Sequence, residues 1–187
     1  LDEAAPSEAV AALLKEFRSK RRGARQEAAR KFTRITESMF PALVREIKRQ
    51  AVPDLLAAAE GDEHWGVRAG AIAVLGRLKN EKALPVLIDA LGCENHWVRD
   101  EAAIALAHYR AKAAPAVPRL IEALSDPTAN AYAAHALGTV GAAASAAVPF
   151  LEKAARDGDD ELADNASESI AKIKAAERRA NRRKEKG

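Results

Sequence analysis

The chain has 187 residues, enough for one ordinary domain or one short solenoid. Aromatics are only 4% and charged residues 30%, so a core must be built from Ala, Leu, Val and Ile, which suits closely packed helices and predicts an all-α chain. The single cysteine, Cys93, excludes an intramolecular disulfide and a cysteine-based zinc cluster, and the net charge of +3 is unevenly spread.

Residues 1–59 hold 12 Lys/Arg against 8 Asp/Glu, residues 60–171 hold 10 against 17, and residues 172–187 hold 8 against 2. An acidic middle therefore lies between two basic ends. No stretch approaches eighteen consecutive apolar residues, so no membrane-spanning helix is expected. The chain begins at Leu1 without a basic-then-apolar leader. A removed leader and an excised piece of a longer protein both remain open, and so does the compartment.

In chain order, residues 1–23 are predicted to form an N-terminal capping helix. A repeated array is predicted over 24–176, and a basic tail over 177–187. Ala24-Arg25-Gln26-Glu27-Ala28-Ala29 opens the array as a helical pattern. Phe40-Pro41-Ala42-Leu43-Val44 then resembles a helix start, but so does Val52-Pro53-Asp54-Leu55-Leu56 twelve residues later, so 40–51 is read as an insertion. From there the pattern becomes regular. Val52-Pro53, Leu84-Pro85, Val117-Pro118 and Val148-Pro149 recur at separations of 32, 33 and 31 residues.

A period near 32 marks stacked supersecondary units, none of which can bury its apolar face alone. Each unit is predicted to be a helix A of about four turns, a loop, and a helix B of about three turns. Proline opens B, where its missing N–H has no intrahelical partner to lose.

Helix A is clearest in Val67-Arg68-Ala69-Gly70-Ala71-Ile72-Ala73-Val74-Leu75-Gly76 and Val98-Arg99-Asp100-Glu101-Ala102-Ala103-Ile104-Ala105-Leu106-Ala107. Further copies run over 129–138 and 162–171. Asp126, before Pro127, is a predicted N-cap. Gly61, Asn80, Gly92, Gly141 and Gly158 fall at predicted helix ends, where a left-handed residue is favoured. Leu75, Leu106, Leu137 and Ile170 are the predicted knobs, set among small residues that let neighbouring helices approach.

These residues resemble the HEAT-like repeat family of the PBS-lyase type, whose units read as acidic loop, Val-Arg, Ala-Ala, Ala-Leu-Gly, then Val-Pro-x-Leu. The resemblance implies a right-handed α-solenoid of about four to five helix pairs. It leaves function wide, because the family includes scaffolds, partner-binding subunits, chromophore lyases and nucleic-acid proteins. It also implies that the B helices line a concave face. Counting one and four residues on from each proline selects Val86, Asp89, Arg119, Glu122, Phe150 and Lys153 as the protein-binding surface, with Asp54 and Ala57 in the same phase.

Other conspicuous side chains have ordinary readings. Trp65 and Trp97 each follow a histidine and precede a Val-Arg, and they are expected to cover the ends of the stack. Arg68 and Arg99 occupy one place in successive units and should form a ladder of ion pairs or loop hydrogen bonds. His64, His96, His108 and His135 lack the spacing of paired metal ligands on one helix. The run 157–161 reads as a helix start rather than a calcium loop.

No nucleophile motif and no phosphate-binding loop is present. The expectation is a non-enzymatic module, with neither metal nor cofactor, that binds another protein. A first alternative is binding of nucleic acid or another polyanion through Lys20, Arg21, Arg22, Arg25, Arg178, Arg179, Arg182 and Arg183. A second is a relative of the chromophore lyases. The packing frame has a direct test: Ala133→Leu should lower the denaturation midpoint, by about 1–3 kcal/mol of stability if the site is closely packed. An unchanged midpoint would remove Ala133 from the core.

Overall fold

The computed structural model describes residues 4–35 and 41–185, and among these every regular element is helical. In chain order the helices are α1 (Ala4–Phe17), α2 (Arg22–Arg34), α3 (Pro41–Gln50), α4 (Val52–Gly61), α5 (Trp65–Leu78) and α6 (Leu84–Ala90). They are followed by α7 (His96–Tyr109), α8 (Val117–Ala123), α9 (Asn130–Val140), α10 (Val148–Asp157) and α11 (Asp160–Lys184). Short 3₁₀ segments, Glu81–Ala83, Arg110–Ala116 and Gly141–Ala147, lead into α6, α8 and α10. The four Val/Leu-Pro dipeptides begin α4, α6, α8 and α10, each with its proline in the first turn.

The architecture is a right-handed α-solenoid. Helices α2, α5, α7, α9 and α11 stack in one layer as A helices, and α4, α6, α8 and α10 form the second layer as B helices. Helices α6 and α8 are only seven residues long, two turns rather than the predicted three. The 3₁₀ segments before them take up the remaining length of the unit. The segment read as an insertion contributes α3, which packs on α1 beside the first repeat. Phe40, at its start, lies outside the described residues.

Contact within the A layer is set by missing side chains. A Cβ placed on Gly70 would lie 2.7 Å from Ala29 Cβ, one on Gly76 would lie 2.6 Å from Ala105 Cβ, and one on Gly138 would lie 2.7 Å from Ser169 Cβ. These are three of the four seams of the layer: α2 to α5, α5 to α7, and α9 to α11. Ala102, Ala103, Ala133 and Ala134 are fully buried on the same layer. Leu75, Leu106 and Leu137 are fully buried between the layers, as predicted. In α11 the knob is Ile173, fully buried, while Ile170 is only half-buried. The last copy departs most from the pattern, and one further helical turn carries its apolar contact to the core.

The helix ends differ from the glycine-based expectation. Positive φ occurs at Gly141 (75°), but also at Lys79 (51°) and Arg110 (53°), and not at Asn80, Gly61, Gly92 or Gly158. Asn80 instead accepts a hydrogen bond from Lys82 N–H and opens the next 3₁₀ turn. At Gly92 a Cβ would lie 2.4 Å from an Arg119 guanidinium nitrogen, the end of an exposed side chain that can move aside. Asp126 caps a turn rather than a helix. Its carboxylate accepts from Thr128 N–H at 2.9 Å, and α9 starts only at Asn130.

Tyr109 ties one unit to the one before it. Its buried hydroxyl donates to the backbone carbonyl of Asn80 at 2.8 Å and lies 3.0 Å from that of Leu75. Burial pushes its pKa up. The segment Asn130–Asp157 contains an 18-residue window whose mean hydropathy, 1.4, is that of a membrane-crossing helix. It is broken at Gly141 into α9, a 3₁₀ segment and α10, and half of that window is buried in the core between units.

A seam glycine and an open one predict opposite outcomes for one kind of substitution. Gly76→Ala gains about 1 kcal/mol of helix propensity but must displace Ala105, so a net loss of about 1–2 kcal/mol is expected. Gly23→Ala, with no atom within 4 Å of its Cβ, should be neutral or stabilising by about 0.5 kcal/mol. Chemical denaturation of both variants checks the contrast.

Candidate functional site

The B helices present the predicted surface with one correction. Asp89, Arg119, Glu122, Phe150 and Lys153 are exposed, but Val86 is only 8% exposed and belongs to the core. Its short apolar side chain turns into the groove between α4 and α6, with Ala59 and Val98 among the groove's walls. Phe150, at the same phase on α10, is 52% exposed. Asp54 is held by Arg18 in a two-pronged ion pair with both contacts at 2.8 Å.

The exposed residues form two different neighbourhoods. On α8, Arg119 and Glu122 pair across one turn at 2.6 Å and neutralise each other. On α10, Phe150 stands beside Lys153, whose charge has no carboxylate partner among the described residues. An exposed aromatic beside an unpaired cation is a competent anchor for a protein partner, because it offers apolar area at little entropy cost.

Along the loops that precede the A helices, the predicted arginine ladder is present. Arg25 donates to Asp62 at 2.8 Å, and also to the carbonyls of Ser19 and Lys20. Arg99 repeats the arrangement, with Asp126 as the acid and the carbonyls of Cys93 and Glu94 as acceptors. Each arginine therefore closes its own loop and reaches the loop of the next unit. In the middle rung Cys93 stands where the other rungs have a carboxylate. Arg68 donates to Cys93 Sγ at 3.3 Å, and its Nε is buried without a partner.

This geometry changes the reading of Arg25. It was a candidate polyanion contact, but its guanidinium is committed to Asp62 and two carbonyls, and its side chain is only 18% exposed. Lys20, Arg21 and Arg22 are exposed before and at the start of α2. Arg178, Arg179, Arg182 and Arg183 are exposed on α11, because the segment read as a tail continues that helix to Lys184. The two clusters stand at opposite ends of the array, so they do not form one basic surface.

The tryptophans also depart from expectation. They do not cover the ends of the stack but lie against each other at the starts of α5 and α7. Their ring centroids are 6.2 Å apart at 17°, with His64 stacked on Trp65 at 5.5 Å and His96 tilted over Trp97 at 4.9 Å. Trp65 is 39% and Trp97 55% exposed. In the sequence Trp65 is one residue out of register with Trp97, with Gly66 as the extra residue before Val67, and only the superhelical geometry brings the rings together.

Asp126 makes the ladder sensitive to acid. Burial opposes its charge, but hydrogen bonds from Arg99 and Thr128 prevail and hold its pKa at about 2, below the usual 3.8. A depressed carboxylate stabilises the fold above its unfolded pKa, and that contribution is lost as pH falls through the folded value. Melting temperature should therefore fall between about pH 4 and pH 2. Asp126→Asn should be less stable at neutral pH and show a flatter acid limb; an acid limb as steep as that of the parent chain would assign it to other carboxylates.

Comparison with known proteins agrees with this architecture. A family model for HEAT repeats matches residues 10–107 and 52–128. The phycocyanobilin lyase subunit alpha of Nostoc sp. (strain PCC 7120) is 35% identical over 129 residues, covering 57% of this chain. The chain spans 46% of that relative's length. Among solved structures, the complex of CpcE and CpcF of phycocyanin lyase from Nostoc sp. PCC7120 matches with a TM-score of 0.73 and 23% identity, over 86% of this chain and 63% of that one. A designed armadillo repeat protein matches with a TM-score of 0.66 and 18% identity, over 86% and 80% of the two chains. The structural matches carry the fold. The sequence relative corrects the expectation of a chain with no part in enzymatic chemistry, because that relative is a lyase subunit. With the family's repeats covering well over half its length and its stacked A and B helices in place, the chain belongs to the HEAT repeat family.

Proposed function

We propose that the chain is a subunit of a chromophore-lyase-type assembly, in which the B-helix face holds a protein partner while a tetrapyrrole chromophore is attached. The observation that carries this reading is the 35% identity, over 129 residues, to a phycocyanobilin lyase subunit alpha. Phycocyanobilin is the substrate in this reading, and the acceptor is a protein of the phycocyanin kind. The solenoid supplies a curved surface larger than a small-molecule pocket, which suits presentation of one protein to another.

The exposed residues of α8 and α10 support a role in docking. Phe150 and Lys153 offer an apolar anchor and a charge, while Arg119 and Glu122 can exchange their mutual pair for pairs across an interface.

The test is reconstitution. The chain is mixed with phycocyanobilin, apo-phycocyanin and a second subunit of the CpcF kind, and covalent chromophore is read by absorbance and by fluorescence of the denatured product. Attachment above the background without the chain is expected. The double variant Phe150→Ala/Arg119→Ala should reduce attachment at least about ten-fold without lowering the melting temperature. No attachment above background overturns the lyase reading, and attachment unaffected by the double variant overturns the assignment of the face.

A further inference from the structure

On the A-helix side of the array, away from the proposed docking face, α7, α9, α11 and the turns after α5 and α7 border a depression of about 490 Å³. Its walls carry Lys79, Arg110, Lys172, His108, His135 and Tyr132, and no carboxylate lines it. The volume falls within the range of small-molecule sites. Lys172 pairs with Glu168 at 3.0 Å. Lys79 and Arg110 have no carboxylate partner among the described residues. Two uncompensated cations therefore face one cavity inside the acidic part of the chain.

The backbone gives an independent reason to single out these two. Lys79 and Arg110 are the two non-glycine residues with positive φ among the described residues. Arg110 has φ 53° and ψ −132° at the end of α7, and Gly141 has φ 75° and ψ −137° at the end of α9. The following unit meets the same turn with glycine, which adopts this conformation without strain. At Arg110 the chain instead keeps a long cationic side chain on a strained backbone. Strain retained where an unstrained residue would serve points to a function for the side chain.

The remaining lining includes an aromatic ring and two aliphatic side chains. Tyr132 is 39% exposed, and Ile104 and Ala107 are half-buried on the same wall. The local field is positive: burial lowers the pKa of His108, and Arg77, Lys79 and His135 lower it further.

We propose that this cavity binds a small organic dianion, two carboxylates on a flat apolar frame, with Lys79 and Arg110 as the charge partners and Tyr132, Ile104 and Ala107 against the frame. The site lies on the layer opposite the B helices, so it stands or falls apart from the proposed lyase role.

The experiment is calorimetric titration of the full chain with naphthalene-2,6-dicarboxylate, its dimethyl ester and inorganic phosphate. The dicarboxylate should bind at sub-millimolar concentration, and the ester and phosphate at least about ten-fold more weakly. Arg110→Gly should weaken the dicarboxylate about ten-fold while raising the melting temperature by about 3 °C, because it removes both the charge and the strain. Lys79→Asn, which keeps a residue tolerant of the left-handed region, should weaken binding similarly and leave the melting temperature unchanged. Absence of dicarboxylate binding up to about 10 mM overturns the proposal. So does equal binding of phosphate or ester, or undiminished binding by both variants.

Discussion

The array depends on how closely one A helix can lie against the next. At Gly70, Gly76 and Gly138 the seam leaves no room for a Cβ, and fully buried alanines continue the same close contact. Helices packed on small residues bring backbone to backbone. Dispersion contacts are then made along the whole seam rather than by a few large side chains. This explains how a chain with 4% aromatics sustains a core at all. It also fixes the spacing from unit to unit, and with it the positions of every loop and every exposed side chain.

Polar interactions act within that frame and do not replace it. Arg25 and Arg99 each satisfy loop carbonyls in their own unit and a carboxylate in the next, so the loops are held in register with the helices. Where Cys93 interrupts the ladder, Arg68 remains part-buried with an unpartnered Nε. Tyr109 performs a related task inside the stack, hydrogen bonding to backbone carbonyls of the preceding unit. Buried polar groups placed this way give each interface one register, because a shifted register would leave them unpaired.

The two layers then offer surfaces of different chemistry. The B layer is short, mixed in charge and carries an exposed Phe150, which suits a protein partner. The A layer carries a cavity with two unpaired cations on strained turns. Its members come from three helices and two turns in four units and have no common motif. A repeat period identifies equivalent positions, and this cavity is made where equivalent positions carry different residues.

The sequence by itself determined the helix pairs, because proline and the apolar frame act over a few residues and repeat with one phase. The starts of α4, α6, α8 and α10, the buried leucines and the place of Arg99 in an arginine ladder were legible on that basis, whereas the part of Arg25 in that ladder and the lack of a carboxylate at Arg68 were not. The likeness to the lyases was legible only as a family resemblance and stood as the second alternative, because neither composition nor spacing contains a catalytic signature. Tertiary structure decided which surface residues are free. It buried Val86 in a groove between units, withdrew Arg25 into the ladder, stacked Trp65 on Trp97, and gathered Lys79, Arg110 and Lys172 around one cavity. The physical reason is that local pattern sets which way a side chain leaves its own helix, whereas its neighbours are set by the superhelical rotation between units.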